Sequence, residues 1–585
     1  IDIDQDVDIH KFIDLVDPLS WKEFMPKDVT KELFKKFIKY YDPDVFIEAG
    51  RIIRRKTKEL DKLDPMERAE KLALIFSTFR NPDKETVLTP WRVVNMHLGK
   101  TIGGFNFYDE NYQFTTKDGK KVRTWRETEY TDQVFNSDAH ILEINSKTGL
   151  YPLYAALSIY YREYMDLINQ SAGKFSLEDQ LMIWQRVLRE NIFVVAKTPM
   201  AKAITQRTLA GYLDMDTNIA FVDHIVEDAK TDSKAEAEKI RRKFGNMKFD
   251  VVIGNPPYQD SDGGAQASAT PIYNEFVDLS RNLNTDIITL IIPSRWYTGG
   301  KGLNSFRDSM LHDKHIKKLY DFINPEEIFP RTNIRGGLCV FVWNKNYDNS
   351  NKGTEIITIE HHREINRSQR ALDSLGLGLF IRDSHAISIL NKIDNDDSFM
   401  NLVSVRKPFG LSGTFIKNAS FYKSNEKLSN PVKIYGKKMV GYTTRDKIIK
   451  HKEWIDKIKV LVARANNIGT ELNDDNLNAF VVDKGTACTE TYLVIGGDLN
   501  LSSFSAKNIV KYLKTKFARY LISIAKASQD ASRATYKFVP NQNFLSNSDV
   551  DWTKAISDID QQLYKKYGLS DDEIKFIETK VQPMD

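Results

Sequence analysis

Residues 255–258 read Asn-Pro-Pro-Tyr and follow directly on an apolar run, Phe-Asp-Val-Val-Ile-Gly, at 249–254. These residue types suit one kind of chemistry. An exocyclic amine on an aromatic ring is a poor nucleophile, because its lone pair is delocalised into the ring. Two fixed acceptors can hold the amine hydrogens and turn the lone pair towards an electrophile. The Asn255 side-chain oxygen and the Pro256 backbone carbonyl are two such acceptors. Consecutive prolines, Pro256 and Pro257, stiffen the turn and fix where those oxygens point. Tyr258 offers a flat face on which a planar base stacks. A base inside a duplex must leave the stack to reach such a pocket. A stiff loop with a packed tyrosine explains the four residues in isolation; the apolar strand leading into them makes the string more specific.

The elements that must position this turn are legible around it. Short apolar runs at 140–145, 191–197, 218–223, 249–254, 286–292, 316–322 and 338–343 alternate with helical stretches at 151–169, 200–213, 235–244 and 272–283. Strand–helix alternation predicts right-handed crossovers and a doubly wound, largely parallel α/β sheet of seven strands, the last pair forming a hairpin-like edge. Ligands of such a sheet sit outside the carboxyl ends of its strands, where residue 255 falls. Residues 1–85 read as a helical connector. Asp28 is the expected cap of a helix over 31–40, and Asp64 followed by Pro65 starts another, with Pro82 beyond its end. The expected domains are the connector at 1–85, the sheet domain at 86–345, an α+β domain at 346–548 and C-terminal helices at 549–585. Thr553 is the expected cap of the first of these helices, which stops at Gly568; Ser570 and Glu573 have capping-box spacing for the last.

At 585 residues, the chain has ample length for a buried core. A charged fraction of 28% and a hydrophobic fraction of 41% suit a globular protein and exclude a disordered chain or a membrane bundle. No apolar run approaches a bilayer-spanning length. Two cysteines, Cys339 and Cys488, exclude a disulfide scaffold and suit a reducing, cytoplasmic setting. The first residue is isoleucine and no leader pattern follows it, which reads as a piece of a longer chain. Net charge is only +4, but residues 401–470 hold fifteen Lys or Arg against four acids. That stretch includes Arg406, Lys407, Lys437, Lys438 and Arg445, interleaved with aromatics, and has the pattern of a phosphate-binding surface. A solvated basic face would look the same from charge alone.

The string at 249–258 resembles motif IV of the amino-methyltransferases, the DNA adenine methyltransferases in particular. Other stretches fall in that family's order. Thr89-Pro90 resembles its motif X; Leu142–Gly149 (LEINSKTG) sits where motif I belongs. The resemblance implies that S-adenosylmethionine is the methyl donor, that Thr89, Pro90, Glu143, Gly149 and Thr198 lie near it, and that Asp223 meets its adenine amine. The order is similar to the gamma class. Two departures stand out: Glu143-Ile144 replaces the usual Asp-Pro, and Lys197-Thr198-Pro199 replaces the acid that grips the ribose. Residues 142–156, 197–209 and 535–540 and the closing helices resemble the modification part of single-chain bacterial restriction–modification enzymes. That resemblance implies double-stranded DNA as partner, and upstream nuclease or helicase domains on the same polypeptide.

The expected reaction is direct methyl transfer to the adenine amine, with Asn255, Pro256, Pro257 and Tyr258 as the catalytic turn and no metal. The loop at 259–270, rich in Gly, Ala and Ser, is expected to close over the flipped base. Arg295, after the fifth strand, and the basic stretch are expected on DNA. No P-loop occurs in the chain, and His361-His362 lack metal-ligand spacing. The alternatives are a protein glutamine methyltransferase, a class whose members carry a similar Asn-Pro-Pro-Tyr turn but which that resemblance implies are shorter and lack the basic domain, and a non-catalytic DNA-specificity subunit.

Overall fold

The computed structural model describes the chain except residues 1–4, 27, 82–86, 110–111, 113–115, 118–119, 122, 171–172, 174, 260–269, 301, 333, 335, 394–396, 469–475, 527–529 and 585. Two compact units emerge: residues 1–296 with 300–372, and residues 373–585 with 297–299.

The first unit is built on a nine-stranded sheet. Its strands are β1 (Ile141–Ser146), β2 (Ile192–Ala196), β3 (Asn218–Phe221), β4 (Val251–Gly254), β5 (Ile287–Pro293), β6 (Ile316–Phe322), β7 (Leu338–Asn344), β8 (Thr354–Glu360) and β9 (Arg363–Arg370). The spatial order is β9-β8-β6-β7-β5-β4-β1-β2-β3. Strands β3, β2, β1, β4 and β5 run parallel, with Glu143 opposite Val194 on one side and Ile253 on the other. β1, β2, β4 and β5 are buried along their length, which is why they read as unbroken apolar runs rather than alternating ones.

The expected α/β class and doubly wound plan hold, with corrections. The sheet has nine strands, not seven. The last expected pair is no edge: β7 inserts antiparallel between β5 and β6. β8 pairs parallel with β6 and antiparallel with β9, so the sheet continues past the boundary expected at residue 345.

The helices flanking the site are α1 (Pro18–Phe24), α2 (Pro65–Ser77), α3 (Trp91–Thr101), α4 (Leu150–Gln170), α5 (Leu177–Glu190), α6 (Pro199–Ala210), α7 (Ile225–Lys243) and α8 (Tyr273–Asn282). Asp64 caps α2 with Pro65 at its first position, as expected. Thr30, not Asp28, caps the helix Lys31–Phe37, accepting from the Leu33 amide at 3.1 Å, because it stands immediately before that helix. α2 is stapled to the sheet domain by Arg68, which is buried. Arg68 donates to the carbonyls of Thr208 (2.7 Å) and Arg207 (2.8 Å) and pairs with Asp61 at 3.2 Å.

The second unit is α+β. Strands Pro431–Gly436 and Met439–Thr444 form a hairpin, and a second small sheet joins Lys459–Ala463 to Ala479–Val482 and Tyr492–Ile495. Helices Ser503–Lys514, Lys516–Ala525, Ile556–Lys566 and Asp571–Lys580 complete it. The Ser570–Glu573 capping box forms as expected. Ala555, not Thr553, precedes the first closing helix, because Thr553 turns its hydroxyl onto Asp551 at 2.6 Å; the glycine stop forms as expected, with Gly568 at φ +61° just past the helix that ends at Lys566.

Candidate active site

The carboxyl ends of β1, β2, β3 and β4 open into one cleft of about 800 Å³. β1 and β4 are neighbours whose connections leave in opposite directions, which makes this the switch point where a doubly wound sheet binds ligands. Asn145 and Lys147 enter the cleft from β1 and its turn, Lys197 and Thr198 from β2, Asp223 from β3, and the turn 255–258 from β4. The opposite wall comes from the N-terminal segment, from residues within 18–26 and from 28–32. A second cleft of about 770 Å³, lined by Ser137, His140 and Arg189 among others, holds none of the motif residues.

The turn 255–258 departs from β4 through Gly254, whose φ of +149° is a conformation that residues with a side chain rarely adopt. Asn255 Nδ2 donates to Thr89 Oγ1 at 2.9 Å. That bond holds the amide, and Oδ1 is left buried with no hydrogen-bond partner. The Tyr258 ring is half-buried against the core, while its hydroxyl is fully buried and unpartnered. Burial raises the Tyr258 phenol well above its usual range, helped by Cys339 and opposed by Asn255, so it stays protonated.

Glu143 lies beneath this turn. Its Cγ is 3.6 Å from the place a Cβ on Gly254 would occupy. Its side chain is buried and Oε2 lacks a partner. Burial pushes the carboxyl up to about 8, against a lowering hydrogen bond from Ser146. Asn145 is held at φ +70° and buries an unpartnered Nδ2. Tyr151, whose phenol feels both Tyr258 and Glu143, belongs to a neutral chain: His97 joins Tyr151 at 2.7 Å and Thr289 at 2.8 Å, and burial lowers its imidazole to about 3.

The sequence-derived residues are thus mostly gathered. Thr89 reaches Asn255, and Pro90 caps α3 beside it. Thr198 lines the cleft while its hydroxyl caps α6 through the Ala201 amide at 3.1 Å. Asp223 lines it with an exposed carboxylate. Gly149 is not among the residues that line the cleft. An added Cβ would come within 3.0 Å of Thr205 and 3.2 Å of Thr208, so this glycine admits α6 against the strand end rather than lining the cleft. Sequence reasoning missed Asn145 and Lys147 as cleft residues, and the whole N-terminal wall. No local pattern announces residues brought together from such distances. The loop expected to close over a base, 259–270, lies outside the described residues but for its ends.

Of the residues expected on DNA, Arg295 sits on the short helical turn Ser294–Tyr297 that follows β5. Arg406 and Lys407 share Glu490, at 2.8 and 4.0 Å, and Arg445 pairs with Asp456 at 2.5 Å. Lys437 and Lys438 occupy the exposed tip of the hairpin 431–444 and have no ion-pair partner among the described residues. Phe409 and Trp454 are buried in the core of this unit, whereas Tyr422 is exposed. Among the described residues no group of three or more His, Cys, Asp or Glu is placed to hold a metal ion.

Comparison with known proteins bears on this geometry. Residues 190–329 match the family described as Eco57I restriction-modification methylase. The match starts just before β2 and runs past β6, and so contains the Asn-Pro-Pro-Tyr turn. An uncharacterized adenine-specific methylase of Mycoplasma pneumoniae is 35% identical over 157 residues, 26% of this chain and 34% of that protein. The chain therefore spans about a third of the curated relative it matches. Among solved structures, the Type IIL restriction-modification enzyme MmeI in complex with DNA aligns over 76% of this chain and 73% of its own, at 10% identity and a TM-score of 0.45. A nuclease-deletion mutant of the Type ISP enzyme LlaGI with a DNA substrate mimic aligns over 86% of this chain and 56% of its own, at 12% identity and a TM-score of 0.44. No helix among the described residues is long and apolar enough to cross a membrane.

Proposed function

We propose that this chain is the modification part of a restriction–modification enzyme, a site-specific methyltransferase acting on the exocyclic amine of adenine in double-stranded DNA, with S-adenosylmethionine as donor. One observation carries the reading. Asn255 is tethered through Nδ2 to Thr89, and its Oδ1 is a buried acceptor without a partner, beside the half-exposed ring of Tyr258. A buried, unsatisfied acceptor is unfavourable unless a ligand satisfies it. The matched methylase family and the adenine-specific relative support the same reaction class.

The cleft suits an adenosine-bearing sulfonium donor by the chemistry of its lining. Asp223 would accept from the purine amine and Asn145 Nδ2 would donate, while Glu143, buried beneath the turn, holds a carboxyl that a nearby cation would turn into a carboxylate. When bound, the donor supplies an electrophilic methyl group. Asn255 Oδ1 and the Pro256 carbonyl accept the two hydrogens of the target amine and keep its lone pair directed at the cleft. Tyr258 stacks on the base, and the two prolines keep the acceptors from swinging away. The amine proton leaves after transfer, so no general base is required. The second unit, with Lys437 and Lys438 at its exposed hairpin tip, supplies phosphate contacts.

The test is incubation with S-adenosylmethionine and unmodified genomic DNA, followed by sequencing with modified-base detection. Methyladenine at one defined motif is the expected result. No modification by protein that demonstrably binds the donor would overturn DNA as the acceptor for this chain.

A further inference from the structure

At the carboxyl end of the second strand, a doubly wound sheet ordinarily offers an acid to the ribose of an adenosine cofactor. Here Lys197 stands at the end of β2. An ammonium has three donors and no acceptor, so it cannot take a hydroxyl hydrogen. An acceptor arrives from a distant part of the chain. Glu23, on α1, lays its carboxylate between Lys147, at 2.8 Å, and Lys197. The Glu23 side chain is 10% exposed, and all three residues line the cleft that also holds Asp223 and Asn255.

The placement of α1 is specific. Ser20 is fully buried, and its Oγ accepts from the Met200 amide at 3.1 Å, at the start of α6. The Trp21 indole donates to the Val29 carbonyl at 2.7 Å, which folds the segment back on itself. Burial by itself would raise the Glu23 carboxyl; the two ammoniums outweigh it and hold it at about 2, so the group is ionised at working pH. A carboxylate offers about four lone-pair sites, and two lysines leave some of them free. If the triad served only to attach α1, an apolar contact would do so without desolvating three charges. Its position on the cleft wall, at the ends of β1 and β2, gives the charges another use.

Resting on the methyl-donor reading above, we propose that Glu23 is the ribose-binding carboxylate of this chain, carried in by α1 and held in place by Lys147 and Lys197. The N-terminal helical segment is then part of the cofactor site rather than a spacer. The test is calorimetric binding of S-adenosylhomocysteine and of its 2′-deoxyribosyl counterpart to the full chain, to Glu23→Gln and to Glu23→Asp. The Asp variant keeps the charge for both lysines and withdraws the carboxylate by one methylene, which guards against a Gln variant that fails to fold. Hydrogen bonds to a charged group set the expected preference of the parent for the ribo ligand at about 10- to 100-fold. Both variants should lose most of that preference while their affinity for the deoxy ligand holds. Preferences unchanged in the variants, or equal weakening of both ligands, would overturn the role of Glu23 alone. A parent that binds neither ligand, even with DNA present, would overturn the methyl-donor reading and this proposal with it.

Discussion

Removing the Thr89 hydroxyl tests whether the Asn255 amide is held for reaction. Thr89→Val keeps the shape of the side chain and deletes the Oγ1 that accepts from Asn255 Nδ2 at 2.9 Å. In the free protein the released amide can rotate to find another partner. In the reacting complex it cannot, because Oδ1 must face the target amine and Nδ2 is then left without an acceptor. An unsatisfied buried donor costs about 1–2 kcal/mol at this level, so the transfer rate should fall roughly 5- to 30-fold. Thr89→Ser keeps the hydroxyl and should stay within about 2-fold of the parent, as expected for a substitution that retains the hydrogen bond. The assay is single-turnover transfer of labelled methyl to a DNA duplex, with donor affinity measured in parallel by calorimetry. If Thr89→Val weakens donor binding and leaves the single-turnover rate intact, Thr89 acts on the cofactor and the orienting argument fails.

Three further outcomes are expected. Asn255→Ala should lower the transfer rate by about 10²–10³, the usual loss for one preorganised group at a reacting centre, with donor affinity kept; near-parental turnover would remove Asn255 from the chemistry. Glu143 keeps its proton in the folded protein up to about pH 8 while the unfolded chain loses it near 4.5, so stability falls as pH rises through that window. At about 1.4 kcal/mol per pKa unit the loss is on the order of 4 kcal/mol, and Glu143→Gln should flatten it; urea unfolding at pH 5 and pH 8 gives the comparison, and an unchanged pH difference would refute the assignment. Replacing Lys437 and Lys438 with Ala should reduce the slope of log affinity for DNA against log salt by up to about 1.8, at roughly 0.9 per lost phosphate contact. Arg406→Ala should change that slope less, because Arg406 is already committed to Glu490.

The parallel half of the sheet was readable in the sequence because its strands are buried on both faces and appear as unbroken apolar runs. The Asn-Pro-Pro-Tyr turn was readable for the same reason: a strand of that kind must deliver it to the ligand edge. β9 was not readable. It alternates exposed and half-buried positions and carries Arg363, Glu364, Arg367 and Arg370, so it resembles a loop. β8 pairs with it and was missed with it. The cap at Thr30 was misplaced by two residues because Asp28 and Thr30 are both good caps and only the chain path chooses between them. Lys197 was visible as a departure, but its partner was not, since no spacing rule links residue 23 to residue 197. Gly149 packs against α6 rather than opening on the cleft, a distinction the sequence could not make because a glycine after a strand reads alike whether it admits a ligand or a helix.

The pairing of Glu23 with Lys147 and Lys197 also has a consequence for how the chain folds. The first wall of the cleft leaves the ribosome long before the strands it must close against, and the contacts of Arg68 with the end of α6 are as distant. Contacts of such sequence separation form slowly, since a long loop must close before they contribute. The N-terminal helices therefore wait, partly exposed, until β2 and α6 have been made. Their docking is expected among the last events of folding, and hydrogen exchange at Ser20 and Trp21 should report it after the central strands are already protected.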